Sequence, residues 1–200
     1  MNFRAEEMNT MNRQRPVTSG RPIDGDLDLQ AHRDLVEGFS GQCVMELMSG
    51  QLHEMCELAS VLSTDRLDTV DPPYRWTLRQ MFAHLVDAER IFGDRMLRVA
   101  AGDRTDLPSW DQDAYADARF GLGNFGQLVT ELGHLRQANL LLLRRLTPKA
   151  WDQRGNVGGS PITVRGLAWV CAAHMDHHFK IVRQRGDVAS PDDEAKTGGF

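Results

Sequence analysis

Apolar residues recur at intervals of three and four from about Gly41 to Leu62, at Val44, Leu47, Met48, Leu52, Met55, Leu58, Ala59 and Leu62. That spacing predicts a helix with one buried face. Leu62-Ser63-Thr64-Asp65 opens a loop that ends at Asp71-Pro72-Pro73. A second helix is expected from Thr77 to about Ala101, with a seam of Leu78, Met81, Leu85, Ala88, Phe92, Met96 and Val99. Thr77-Leu78-Arg79-Gln80 has the form of a capping box, in which the hydroxyl caps an end amide and Gln80 reaches back. Gly102-Asp103 closes this helix, and DRTDLPSWDQDAYAD then reads as a long connection across one end of the molecule. The third helix spans roughly Gly123 to Leu146 through Phe125, Leu128, Leu132, Leu135, Asn139, Leu142 and Leu146, with Asn139 as the polar break. A Gly-rich crossing, RGNVGGSPI, leads to a fourth helix capped by Thr163 and running to about Arg185.

No segment shows the period-two alternation of a half-buried strand, so the expected class is all-α, a four-helix bundle. Residues 1–38 carry the turn-rich run RPVTSGRPIDGD without sustained periodicity and are expected to form a flexible or weakly ordered arm. The bundle domain is then 39–186, followed by a polar, flexible tail over 187–200.

The chain has 200 residues, 41% of them hydrophobic, which is enough for one domain with a sizeable core. Its net charge of -5, without a basic stripe, argues against nucleic-acid binding. The N-terminus has no apolar run like a signal-peptide core, and the apolar stretches around Leu140–Leu143 and Leu167–Ala173 are too short to cross a bilayer. No membrane partner is expected. Three cysteines, Cys43, Cys56 and Cys171, lie in helix-like patterns without a CxxC pair, which fits reduced thiols that pack in a cytoplasmic protein.

Candidate chemistry enters with the seven histidines at 32, 53, 84, 134, 174, 177 and 178. On a helical projection of the fourth helix, His178 falls near the centre of an apolar face with Leu167, Val170, Cys171, Met175, Ile181 and Val182, and His174 lies one turn before it. Histidines at i and i+4 bring two imidazoles to one point. His177 projects to the side. The plainer reading is that buried histidines only satisfy a neighbour's hydrogen bond. His84, bordering the apolar stripe of the second helix beside Met81 and Ala88, is the best candidate for a third ligand. His134 and His53 lie off their seams, and His32 belongs to the arm. Three imidazoles without a thiolate suit zinc or nickel first, with iron, manganese or copper as further candidates. Three ligands leave a coordination position open. Asp87, Glu89 and Asp176 are near enough in sequence to orient an imidazole.

Taken together, YRWTLRQMFAHLVDAERIFGDRMLRVAAGD, LPSWDQDAYAD and GSPITVRGLAWVCAAHMDHHFKIVRQR resemble the second helix, following loop and last helix of the DinB/YfiT-like family of metal-binding four-helix proteins. The resemblance covers about Gly41 to Arg185. It implies a metal triad of one histidine on the second helix and an H-x3-H pair on the last, which maps onto His84, His174 and His178. The chain departs from relatives that carry Glu after the first histidine of the last helix, since Met175 stands there. Some relatives look like metal-dependent transferases or isomerases that use low-molecular-weight thiols such as bacillithiol or mycothiol.

The leading functional expectation is therefore a divalent-metal enzyme, a thiol transferase or hydrolase acting on a small molecule. Arg136, Asn139, Trp110, Asp111 and Gln112 are candidates for a pocket rim. The alternative is a non-catalytic bundle whose metal holds the helices together or senses availability, with a homodimer formed through an exposed helix face.

Overall fold

The computed structural model describes residues 18–118 and 123–186. Four long helices form the bundle: α2 (Val44–Val61), α4 (Leu78–Ala100), α6 (Phe125–Arg144) and α8 (Val164–Gly186). Each lies within a few residues of its expected span. The short elements are α1 (Gln30–Glu37), α3 (Thr64–Leu67), α5 (Gln112–Ala118) and α7 (Pro148–Trp151), with strands β1 (Asp106–Leu107), β2 (Arg154–Val157) and β3 (Ser160–Thr163). No helix of the described residues is long and apolar enough to cross a membrane.

Local chemistry sets the helix starts. The Thr77 hydroxyl accepts from Gln80 N at 3.1 Å while Thr77 N donates to Gln80 Oε1 at 2.9 Å, so the capping box is formed. Thr163 Oγ1 accepts from Gly166 N at 3.0 Å and starts α8. Asn124 Oδ1 caps α6 through Gly126 N.

The core has two apolar ends. One gathers Met48, Phe92, Met96, Leu140, Leu143, Trp151 and Trp169; the other gathers Met55, Leu58, Phe82, Leu85, Leu132 and Phe179. Between them three of the four long helices contribute a buried polar residue: Gln51 lies between Met48 and Met55, Glu89 between Leu85 and Phe92, and Arg136 between Leu132 and Leu140. Arg136 Nη2 meets Glu89 Oε2 at 2.9 Å and Arg136 Nη1 donates to Gln51 Oε1 at 3.0 Å. Asn139 Nδ2 donates to the Glu89 carbonyl and to its Oε1 at 2.8 Å. A polar layer thus crosses the bundle, its charges compensated internally.

Two expectations need correction. Residues 18–38 are not a weakly ordered arm: they contain α1, they bury Leu27 and Val36, and they dock on α8. Asp26 is the anchor, pairing with Arg165 at 3.1 Å and accepting from the Thr163 hydroxyl at 2.8 Å. Gly166 makes the approach possible, since a Cβ there would lie 2.4 Å from the Asp26 carbonyl oxygen. Trp169 Nε1 donates to Gly20 O at 2.7 Å, and the Arg21 guanidinium lies over the Trp169 ring. Residues 1–17 and the expected tail over 187–200 fall outside the described residues.

The second correction concerns the Gly-rich crossing, which is a β-hairpin. Arg154 pairs with Thr163 and Val157 with Ser160, and Gly158 and Gly159 turn the chain at φ 56° and 77°. β1, inside the long connection, adds to β2 in parallel with Asp106 opposite Asn156.

Candidate metal centre

His84 projects from the inner face of α4, where Leu85, Ala88 and Met81 are buried with it. His174 and His178 lie one turn apart on α8, the helix that packs on α4. The three Nε2 atoms converge: His84 to His174 at 3.1 Å, His84 to His178 at 3.1 Å, and His178 to His174 at 3.2 Å. His84 and His178 are buried, and His174 is half-buried.

Protein hydrogen bonds alone do not satisfy this triangle. A neutral imidazole nitrogen either carries a proton or presents a lone pair. Three nitrogens with two roles must include two of the same kind, so at least one of the three contacts is repulsive. Protonation does not relieve it. Burial holds His84 at a pKa of about 4; burial first, then the positive charge of His84, His177 and Arg136, holds His174 at about 3. Burial followed by its histidine neighbours pushes His178 lower still. The triad is neutral at physiological pH, which is the protonation state of a ligand.

A cation facing three lone pairs removes the conflict. Zn–N bonds of about 2.0–2.1 Å in tetrahedral geometry would separate the nitrogens by about 3.3 Å, close to the spacing found. No fourth His, Cys, Asp or Glu joins the cluster among the described residues. The set fits a divalent ion with a position left open.

Aromatic rings wall the site. Trp110 stacks on His84 with centroids 5.3 Å apart and planes 5° apart, and Trp76 leans on the same imidazole at 4.9 Å. Phe92 packs on His174 at 5.8 Å, and Tyr115 stands edge-on to Trp110 at 5.2 Å. These rings fix the imidazoles by shape, because Nδ1 of His84 and of His178 finds no hydrogen-bond partner.

The remaining sequence candidates separate clearly. His177 is exposed, as are His134 and His53, and His53 pairs with Glu57. His32 is half-buried in α1, away from the triad's three-way contact. None of the three acids orients an imidazole. Glu89 is committed to Arg136 and Asn139, Asp176 pairs with Lys180 at 2.8 Å, and Asp87 is half-buried with no hydrogen bond to a triad nitrogen. Arg136 and Asn139 are core residues rather than pocket rim, at 1% and 7% exposure. Asp111 and Gln112 are exposed at the entry to α5, where Asp111 Oδ1 accepts from Ala114 N. Trp110 is the rim candidate that reaches the site. Met175, standing where relatives often carry Glu, is buried with its sulfur 3.1 Å from Arg136 Nη2. Sequence reasoning missed Trp76, although its place just before the capping box put it one turn from the inner face of α4.

Comparison with known proteins agrees with this architecture. The family model of the DinB superfamily matches residues 48–182. Among solved structures, the chain is similar to YfiT from Bacillus subtilis, described as a probable metal-dependent hydrolase with an unusual four-helix bundle topology. The TM-score is 0.61 at 18% identity, over 86% of this chain and 99% of that one. No curated protein matches. With four bundle helices in place and the family model spanning α2 to α8, the chain belongs to the DinB superfamily.

Proposed function

We propose that the protein is a metal-dependent enzyme in which His84, His174 and His178 hold one divalent ion for hydrolysis of, or thiol transfer to, a small electrophilic molecule. The observation that carries this reading is the convergence of three neutral Nε2 atoms within 3.2 Å of one another, with no fourth protein ligand among the described residues. Structural zinc sites usually close with four protein ligands, whereas catalytic sites keep a position for water or substrate. The relative described as a probable metal-dependent hydrolase supports the same choice. Zinc or nickel suits the all-imidazole donor set, with iron, manganese or copper next.

When bound, such an ion supplies Lewis acidity, which brings the pKa of a water or a low-molecular-weight thiol toward neutrality. The chain's own residues do the rest. Trp76 and Trp110 shield His84 from bulk water and hold its ring plane, and Phe92 does the same for His174. Low local polarity strengthens every charge interaction made there. Cys171 is no internal nucleophile: burial first, then the neighbouring Glu89 carboxylate, raises its thiol pKa well above the ordinary value.

The test is elemental analysis of untagged protein and of single variants. His84→Ala, His174→Ala and His178→Ala should each lose the metal while His177→Ala keeps it. Retention by the first three, or loss by His177→Ala, would refute the assignment. Titrating cobalt-loaded protein with cellular thiols and small anions then tests the open position. An unchanged ligand-field spectrum throughout would favour a purely structural ion.

A further inference from the structure

A groove of about 410 Å³ lies between the C-terminal half of α4 and the connection that carries Trp110. Trp110, the ring stacked on His84, forms the wall at one end, and Arg95 and Arg98 line the other. Ile91 and Arg95 follow His84 on one side of α4 because they lie two and three turns on. Arg95 Cα is therefore about 16 Å beyond His84 at the ordinary helical rise. Ile91, Leu107 and Pro108 give the middle of the groove an apolar lining.

Arg95 is the unusual member. Its residue is 7% exposed, and its hydrogen bond is from Nη2 to the Pro108 carbonyl at 2.7 Å. No carboxylate lies within ion-pair distance of it among the described residues, whereas Arg98 is tied to Asp103 at 2.7 Å and Arg90 to Glu131. Asp94, the one carboxylate that also lines the groove, acts on Arg95 through space, but burial outweighs it and lowers the guanidinium pKa. His32, a titratable neighbour, brings no negative charge. A guanidinium has five N–H donors, and a cation so far removed from water is costly unless an anion meets it. Its remaining donors are not among the unpartnered atoms sealed in the core, and the residue lines the groove.

We propose that this groove binds the tail of the substrate or co-substrate, an apolar small molecule ending in an oxyanion, carboxylate or phosphate. Arg95 takes the anion, Ile91, Leu107 and Trp110 take the apolar part, and the opposite end is directed at the histidines. That last clause rests on the metal-centre reading; the binding of an anion at Arg95 does not.

The experiment titrates untagged protein, metal-free and zinc-loaded, with 4-phenylbutyrate, phenyl phosphate and the neutral 4-phenylbutyramide, by calorimetry and tryptophan fluorescence. At least one anion should bind about tenfold more tightly than the amide, as a charge-assisted bond requires. Which anion binds better separates a carboxylate from a phosphate. Arg95→Gln should remove that preference, and Arg95→Lys should keep part of it. Arg79→Gln, whose guanidinium pairs with Asp68 at the surface, should leave it unchanged. Should Arg95→Gln fail to fold, as judged by circular dichroism, the acid and amide affinities of the wild type and of Arg95→Lys still decide. Equal binding of amide and anions, or an unaltered preference in Arg95→Gln, would overturn the proposal. Anion binding without metal retention counts against the metal centre alone, and metal retention without anion binding counts against the groove alone.

Discussion

Replacing Arg136 by Met should be among the costliest single changes in this bundle. Arg136 and Glu89 are 1% and 2% exposed, so solvent does not screen their pairing at 2.9 Å. In Arg136→Met the Glu89 carboxylate keeps only Asn139 Nδ2 at 2.8 Å and the weak Cys171 thiol donor at 3.4 Å. Breaking a buried pair from one side costs about 3–5 kcal/mol because the remaining charge is uncompensated. Gln51 Oε1 also loses its donor, worth about 1 kcal/mol or more. Against this, Arg136 Nε has no acceptor in the native protein, and Met fills much of the volume with no such group. The net expectation is a loss of about 4 kcal/mol, or a fall in Tm of about 8–16 °C for a chain of this size. Urea denaturation followed by circular dichroism measures it. The double variant Glu89→Leu, Arg136→Met removes both charges and should recover about 2 kcal/mol or more relative to the sum of the singles. A single-variant loss under about 1 kcal/mol, or strict additivity in the double, would show that the polar layer is not a coupled unit.

Acidification should destabilise the metal-free protein. His84 has a folded pKa of about 4 against an ordinary 6.5, so the unfolded chain takes up its proton first. The corresponding stability is fully present above about pH 6.5 and is lost as pH falls through about 4, about 3 kcal/mol for His84 alone. His174 extends the loss toward pH 3. Urea midpoints in chelator between pH 7.5 and 4 should therefore decline, and a flat profile would contradict burial of neutral imidazoles. Gly93→Ala should destabilise by about 1–3 kcal/mol despite the better helix propensity of Ala, because the new Cβ would meet Asn139 Oδ1 at 2.4 Å; thermal melting reads it. Thr77→Ala should cost about 1 kcal/mol through loss of the capping box. An aromatic disulfide reagent should modify exposed Cys56 quickly in native protein and buried Cys171 only after denaturation.

The three histidines were legible because the information needed was periodic. His174 and His178 are separated by one helical turn, and His84 interrupts a seam of Met81, Leu85 and Ala88, so a projection of each helix finds them without knowing how the helices meet. The acids failed for a related reason. Projection says which side of a helix Glu89 faces but not what faces it, and the partner proved to be Arg136, placed on another helix by tertiary packing. The same gap left Arg136 and Asn139 open between rim and core, and their burial decides for the core. Residues 18–38 were misjudged because their apolar content is sparse and lacks a period; they are ordered by specific polar anchors, Asp26 on Arg165 and the Gly20 carbonyl on Trp169, which no local pattern announces.

The hairpin shows how an element unread in the sequence can govern one that was read. Its strands are four residues each and carry Gly155 and Pro161, so neither shows alternation long enough to register. Gly155 is required there, since a Cβ would fall 2.6 Å from Val99 Cγ2 on α4. With the hairpin seated on α4, β2 pairs with Asp106 and Leu107, Gly158 N donates to Leu107 O at 2.8 Å, and Gly159 N donates to Asp106 Oδ1 at 3.0 Å. The long connection is thereby fixed immediately before Pro108, whose carbonyl receives Arg95, and Trp110, whose ring covers His84. Two turn glycines thus help to hold both the ring that covers His84 and the wall of the groove. Gly155→Val should consequently displace Trp110 and weaken its stacking on His84 before it unfolds the bundle, visible as a red-shifted tryptophan emission with helical circular dichroism retained. Loss of helicity in step with the emission shift would mean that the hairpin supports the bundle as a whole rather than the loop over its histidine triad.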